Sequence, residues 1–523
     1  MSLIGIDLGT TFCAVATLDD RGRPKTLPNS DGEMLTPSAI YFAPDGGAVV
    51  GQPAMDLALE QPERVATLIK RRMGHPDLGR TVAGRLFRPE TLSAVILRKL
   101  AQDAEVHVGP VKQCVITVPA YFDDTRRKAT MDAGRIAGLE VLDIIDEPSS
   151  AALAYSMQQA AGIGPEGLAA LAPPATGPRT VLVYDLGGGT FDVTLVKLAK
   201  KRFQVLAIEG DVRLGGKDWD DRLVNWAADR FLQHYGADPR TDPHSMAALE
   251  AAAERAKRTL SKIDQTTITA SHAGNRLVVP ISRTEFETLT KELLVRTRLT
   301  TMQVLNQSGL TWEQVDKVLL VGGSTHMPAT SRMIAEVTGK EPDRSLAVSE
   351  VVARGAAIHA GIVKQREERI RNGHDSVIEL LADVVEISVN AHSLGVEVKG
   401  KDERRNDRLI AKNTQLPAAV SRVYFTAHDN QQRVRVRILQ GEAQQAEACI
   451  PVGECWIDGL PGDLPKGSPV QVRCGVGANG RIEVMALDMT SGRVAKAEIH
   501  RPGGLSEDEI AREAAWLHAL RIQ

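Results

Sequence analysis

The chain has 523 residues, enough for about two to four domains around substantial cores. Its 63 Lys and Arg stand against 66 Asp and Glu, a formal net charge of −3, and aromatic residues make up 4%. That balance excludes a dedicated nucleic-acid binder, which carries a basic excess and aromatic platforms for bases. The five cysteines, Cys13, Cys114, Cys449, Cys455 and Cys474, are scattered and form no Cys-x-x-Cys pair. Such usage fits reduced thiols better than a disulfide framework or a zinc site. No apolar run reaches the roughly 18 residues of a membrane span. A strand-like phrase begins at Leu3 without a basic leader, so the expectation is a soluble, cytoplasmic protein with no membrane partner.

Taken in chain order, Leu3-Ile4-Gly5-Ile6-Asp7-Leu8-Gly9-Thr10-Thr11-Phe12 reads as strand, aspartate, glycine turn with hydroxyls, and second strand. Ile69-Lys70-Arg71-Arg72-Met73-Gly74 supplies a cationic run. Val111–Val118 is predicted as a strand, and Thr125–Ala137 as a helix entered through Asp123-Asp124 and closed by Gly138. Val141–Ile145 is another strand, followed by Glu147-Pro148 and an Ala-rich helix; Pro148 suits a first helical turn, where no N–H is needed. The Ala, Gly and Pro-rich segment 160–179 reads as an extended surface loop.

Val181-Leu182-Val183-Tyr184-Asp185-Leu186-Gly187-Gly188-Gly189-Thr190-Phe191 then repeats the opening plan. Glycine keeps side chains off the inner surface of such a turn, so backbone N–H groups converge on anionic oxygens with help from threonine hydroxyls. One such turn could be an ordinary hairpin with a buried aspartate. Two, each with a carboxylate at its root, suit a polyphosphate and a hydrated Mg²⁺, which keeps several waters. Nucleotide binding is therefore the expected activity. Glu254–Ser261 reads as a helix, and Val315–Val321 as a strand leading into Gly322-Gly323-Ser324-Thr325.

Beyond Gly373 the character changes. A mixed apolar and acidic connector gives way to short alternating strands, among them Arg433–Ile438 and a hairpin of Val470–Val476 with Arg481–Leu487 around Asn479-Gly480. Gly475–Gly480 matches a dinucleotide fingerprint but precedes a strand, so no helix N-terminus is available for a pyrophosphate. No Gly-x-x-x-x-Gly-Lys-Ser/Thr loop occurs. Ser506-Glu507-Asp508-Glu509 is a capping box opening a last helix, with Ile510, Ala514 and Leu517 on one face.

The paired turns, the Lys70 run, Val118-Pro119-Ala120-Tyr121-Phe122, Ile145-Asp146-Glu147-Pro148, Glu254–Ser261 and Val321–Thr325 fall in a fixed order. Together with Asp429-Asn430-Gln431 and Leu439-Gln440-Gly441-Glu442 this resembles the DnaK-type, seventy-kilodalton heat-shock chaperones over nearly the whole chain. The resemblance implies a two-lobed, actin-like α/β ATPase domain over residues 1–372 and a linker over 373–388. It further implies an all-β sandwich that binds peptides over 389–503 and a short C-terminal helix, a remnant of the family's lid, over 504–523. It implies a stress-response chaperone that slowly hydrolyses ATP to ADP and phosphate and thereby controls binding of extended, unfolded polypeptide.

Carried over by position, Asp7 and Asp185 would hold the hydrated Mg²⁺. Gly9, Thr10, Thr11, Gly187, Gly188, Gly189 and Thr190 would bind phosphates. Lys70 would reach the γ-phosphate and attacking water, with Glu147 nearby and Pro148 relaying the nucleotide state. Asp7, Asp185 and Thr190 would share in the catalysis. Glu254, Lys257, Arg258, Ser261, Gly322, Gly323 and Ser324 would surround the adenosine. Val434 and Val436 would contact the client, and a J-domain co-chaperone and a nucleotide exchange factor are the implied helpers.

Departures from the family pattern carry expectations of their own. His326 stands where an arginine usually stacks on adenine, and Ser349 where the family has an aspartate, so nucleotide affinity should be weakened. The connector Asp383-Val384-Val385-Glu386-Ile387-Ser388 carries a charge inside an apolar run. Burying Glu386 without a partner would be costly, and Asp143 replaces a basic residue used by the co-chaperone. A charged loop, Lys399 to Arg408, replaces an apolar arch over the client cleft, and with so little lid a bound peptide should leave quickly. A rival reading is a regulatory or scaffold protein that binds nucleotide and one fixed partner. A small-molecule kinase of the same superfamily is a third, opposed by the β domain.

Overall fold

The computed structural model describes residues 2–160, 177–199, 201–343, 347–372, 381, 384–399, 403–458, 462–490, 492, 494–497 and 504–523. The repeated phrase becomes a repeated sheet. In the first, strands Glu140–Asp146, Val111–Val118, Ser2–Asp7, Phe12–Leu18 and Pro24–Leu27 lie side by side in that order. The second has Lys317–Val321, Arg179–Leu186, Phe191–Ala199, Arg202–Asp211 and Val385–Ile387. In each, the strand carrying the key aspartate runs parallel to one neighbour and antiparallel to its hairpin mate. Both aspartates therefore sit at the same end of equivalent strands. Arg179–Leu186 is covered on both faces from Val181 onward, which explains its unbroken apolar run.

Helices Glu147–Ala160 and Val351–Asn372 fill the space between the sheets. Ala151, Ala152, Val181, Val183, Leu319, Ala356 and Ile358 belong to this shared core. Close approach is enforced by glycine: a Cβ on Gly355 would lie 1.8 Å from the Ser150 carbonyl oxygen, and one on Gly5 2.0 Å from the Ala357 nitrogen. Each lobe adds a core of its own, one containing Ile4, Leu92 and Ile116, the other Leu182, Trp219 and Phe231.

The predicted elements of the lobes are present with small shifts. The helix after Asp123 is Asp124–Ile136, with the Asp123 side chain accepting from Arg126 N. The strand predicted from Val315 begins at Lys317, because Trp312–Gln314 forms a short 3-10 turn. The segment read as a loop between 160 and 179 falls largely in 161–176, outside the described residues.

The later strands form two four-stranded sheets, Arg404–Ile410, Leu394–Lys399, Arg433–Gln440 and Ile450–Asp458 against Ala418–Phe425, Pro469–Val476, Ile482–Asp488 and Val494–Ala497. Leu394, Ile438, Val452, Cys455, Val472, Cys474 and Val484 fill the sandwich. The Gly475–Gly480 fingerprint is a hairpin turn, Gly480 N donating to Gly477 O at 3.0 Å. Much of the charged segment read as a loop is strand: Lys399 pairs with Arg404 and Val396 with Asp407, and 400–402 lie outside the described residues. Several of its described charges are matched. Glu397 bonds Arg404 and, at 2.8 Å, Arg437; Asp407 bonds Arg422 and, at 2.8 Å, the Tyr424 hydroxyl.

The sandwich docks on both lobes. Gln440 accepts from Asp124 N at 3.0 Å, His392 Nε2 lies 3.0 Å from Tyr121 O, and half-buried Lys412 pairs with buried Glu209 at 2.6 Å. Connector residues Val385–Ile387 form the edge strand of the second sheet, and Glu386, which would be costly to bury alone, has a partner in His359. The C-terminal helix, Glu507–Ala519, does not join the sandwich core. Leu505, Ile510 and Leu517 enter the first lobe's core instead. Arg85 lies over the rings of both Phe87 and Trp516, at 4.7 and 4.8 Å. Past the helix, Gln523 N donates to Ala48 O at 2.9 Å and Ala48 N to Arg521 O at 2.9 Å. The buried Leu517→Ala change should cost about 2–5 kcal/mol, read as a lower first-lobe transition in calorimetry and faster proteolytic release of the helix.

Candidate functional site

Asp7 and Asp185 lie near enough for the Asp7 charge to act on Asp185, at the foot of turns that touch. A Cβ on Gly188 would lie 2.5 Å from Thr11, and one on Gly189 2.5 Å from Thr10. The second turn is tied from within, Gly187 N donating to Thr190 O at 3.0 Å, and the first from outside, Ser38 Oγ donating to Gly9 O at 2.8 Å. Threonine hydroxyls thus face bare backbone across the cleft, the surface a phosphate chain needs.

Beneath the turns lies one ammonium among acids. Lys70 sits on the 3-10 turn Ile69–Arg72, is buried, and pairs with Glu147 at the start of its helix. Asp7 accepts from the Thr117 hydroxyl at 3.0 Å. Asp192 accepts from Tyr121 N at 3.1 Å. Burial, reinforced by Glu147 and opposed by Lys70 and Thr117, pushes Asp7 up to about 7. Burial, then the Glu147 charge, raises Asp185 and Asp192 as well. Burial opposes the charge on Lys70, yet Glu147 and then Asp7 override it and hold the lysine above its ordinary range. Asp7, Glu147, Asp185 and Asp192 against Lys70 leave the pocket short of positive charge. Among the described residues, no cluster of three or more His, Cys, Asp or Glu is arranged to cage a metal directly. A cation that retains its water shell fits this donor set.

The predicted adenosine residues line the second lobe beside its turn. Lys257 Nζ reaches Asp220 at 2.8 Å and Gly216 O at 3.1 Å, while the Ser324 hydroxyl donates to Gly187 O at 3.0 Å. Ser261 Oγ donates to Lys257 O at 3.1 Å. Glu254 pairs with Arg258 at 3.0 Å, and the Arg258 guanidinium lies 5.5 Å over the Phe12 ring of the opposite lobe. Gly322 has φ 82°, and a Cβ there would lie 2.4 Å from Leu186 O. Gly323 and His326 are exposed at the rim.

Several supporting residues escaped the sequence reading. Arg71 crosses the cleft, donating to Gly189 O at 3.1 Å and pairing with Asp218. Asp220, Asp192 and Thr117 hold Lys257, Tyr121 and Asp7. Only the position of Arg71 beside Lys70 offered a signal. The predicted client contacts face inward: Val436 is buried in the sandwich and Val434 packs partly against it.

Two lobes of one plan, closing paired glycine turns over a buried lysine–carboxylate cluster, define an actin-like ATPase. A family model described as Hsp70 protein matches residues 3–518. Two relatives, the chaperone proteins DnaK of two strains of Thermus thermophilus, are each 40% identical over 549 residues, covering 99% of this chain and 83% of the relative. The chain belongs to the Hsp70 family. It is an ATP-dependent chaperone of the DnaK type that binds ATP and ADP and hydrolyses ATP, and as such it binds unfolded polypeptide. Gly188→Ala, whose methyl would meet Thr11, should weaken ATP binding at least tenfold in calorimetry with unchanged circular dichroism.

Proposed function

We propose that the nucleotide's triphosphate lies between the Gly9–Thr11 and Gly187–Thr190 turns, and its adenosine among Glu254, Lys257, Arg258, Ser261, Gly322, Gly323 and Ser324. The carrying observation is the buried Lys70–Glu147 pair among Asp7, Asp185 and Asp192. Asp7 and Asp185 would hold a hydrated Mg²⁺, which when bound supplies the charge these acids lack and neutralises phosphate oxygens. Glu147 keeps Lys70 charged and aimed at the γ-phosphate and water. Lys70 then stabilises negative charge as the phosphoryl group moves. Thr10, Thr11 and Thr190 orient phosphate oxygens by donating hydroxyl hydrogens.

Residues 1–372 form the ATPase domain in this reading, 373–388 the linker, 389–503 the peptide-binding sandwich and 504–523 a docked helix. Extended client segments would be held by main-chain bonds and apolar pockets at the sandwich. A J-domain co-chaperone and a nucleotide exchange factor would set the cycle. Five cysteines, all free and buried, suit a cytoplasmic setting; among the described residues no helix is long and apolar enough to cross a membrane.

The test is phosphate release with and without an extended apolar peptide. Lys70→Ala should lower turnover about 10²–10³-fold, the scale of one lost transition-state donor, while ATP affinity changes less than tenfold. Wild-type turnover in that variant would overturn the assignment. His326→Arg should tighten ATP binding by about fivefold, the worth of a ~1 kcal/mol cation–π contact, read by calorimetry.

A further inference from the structure

The connector strand Val385–Ile387 runs parallel to Arg202–Asp211, with Phe203 opposite Glu386 and Val385 N donating to Lys201 O at 2.8 Å. Both Glu386 carboxylate oxygens face His359 Nδ1, at 2.9 and 3.0 Å. The other ring nitrogen, Nε2, lies 3.0 Å from Asp143 Oδ2 on the first lobe's Glu140–Asp146 strand. Arg366, on the same helix as His359, stands 3.7 Å from Glu386 and donates to Val384 O at 3.0 Å. His359 is 8% exposed. Ionised carboxylates only accept hydrogen bonds, so both imidazole nitrogens must donate and the ring must carry its second proton. Two acids, one imidazolium and one guanidinium then balance.

We propose that Asp143, His359 and Glu386 form a clasp, in which a cationic His359 fastens the interdomain connector to the ATPase lobes. The two departures from the family pattern, an acid inside the connector and an acid on the first lobe, are the two halves of one interaction. Removing His359 alone leaves two half-buried carboxylates facing each other. Removing an acid leaves the ring one partner short.

Proton linkage follows from the geometry. Burial disfavours the charged ring, but Glu386 and Asp143 outweigh it and raise His359 to about 10. The charged groups around the ring are Asp143 on the first-lobe strand, Glu386 on the connector and Arg366 on its own helix, with Lys201 and Arg202 at the adjoining strand end. When the connector leaves, Glu386 goes with it, water enters, and the ring returns toward an ordinary value of about 6.5. The docked form thus holds the proton more tightly. Docking is strongest below about pH 6.5 and weakens as pH rises toward 10.

Hydrogen exchange of the amides at 384–388 in the full chain tests this, measured with and without ATP and using whichever condition protects them better. His359→Gln and Glu386→Gln should each speed exchange at least tenfold, and the double variant no further than the faster single one. Exchange in Arg179–Leu186 should stay unchanged. Wild-type protection, corrected for intrinsic exchange, should fall between about pH 7 and 9.5 and be flat in His359→Gln. Unprotected wild-type amides, full protection in either single variant, additive effects, or the same pH profile in wild type and variant would each overturn the clasp. Glu386→Gln leaves the lobe cores intact and carries the test alone should His359→Gln not fold.

Discussion

One lysine buried among carboxylates sets the terms for the whole ATPase half. Lys70 reaches its place only because a 3-10 turn enters the cleft, and Glu147 meets it only because a helix begins where the Glu140–Asp146 strand ends. Asp7 and Asp185 must then arrive from two sheets of related plan. Removing charges from water is costly unless each finds a partner. The pocket's remaining negative charge is what the hydrated cation proposed above would offset. Sheet order, helix crossing and glycine contacts all serve that convergence.

The same logic of matched charge extends outward. Lys412 enters a buried site only to meet Glu209, and Glu386 enters the second sheet only to meet His359. In the charged strand Arg404–Ile410, which the sequence suggested as part of a loop, Arg404 pairs with Glu397 and Asp407 with Arg422. Glu386 and Asp143, oddities when read singly from the sequence, meet in space through His359. A buried lone charge destabilises, whereas the pair fixes which surfaces dock.

This marks the boundary of what the sequence made legible. The repeated strand–Asp–glycine phrase was readable because its period and turn chemistry are local, and both sheets follow from it. The capping box at Ser506 foretold its helix for the same reason. The partners Asp220 and Thr117 were not readable, since each lies far along the chain from the group it supports and carries no spacing signal; Arg71 stood beside Lys70, but its partners Gly189 and Asp218 lie far along the chain. His359 is the clearest case. On a helix rich in alanine it looks unremarkable, and only tertiary contact brings Asp143 and Glu386 to its two nitrogens. The docking side of the last helix was equally hidden, because Ile510 and Leu517 declare a buried stripe without naming what covers it.

The sandwich is moored at both ends, and to different lobes. Its incoming chain is a strand of the second sheet, while its outgoing chain ends as a helix sunk in the first lobe's core and a short pairing with Ala48. Any rotation of one lobe against the other therefore strains both moorings at once. A sandwich tethered in this way registers the angle between the lobes at its own two ends.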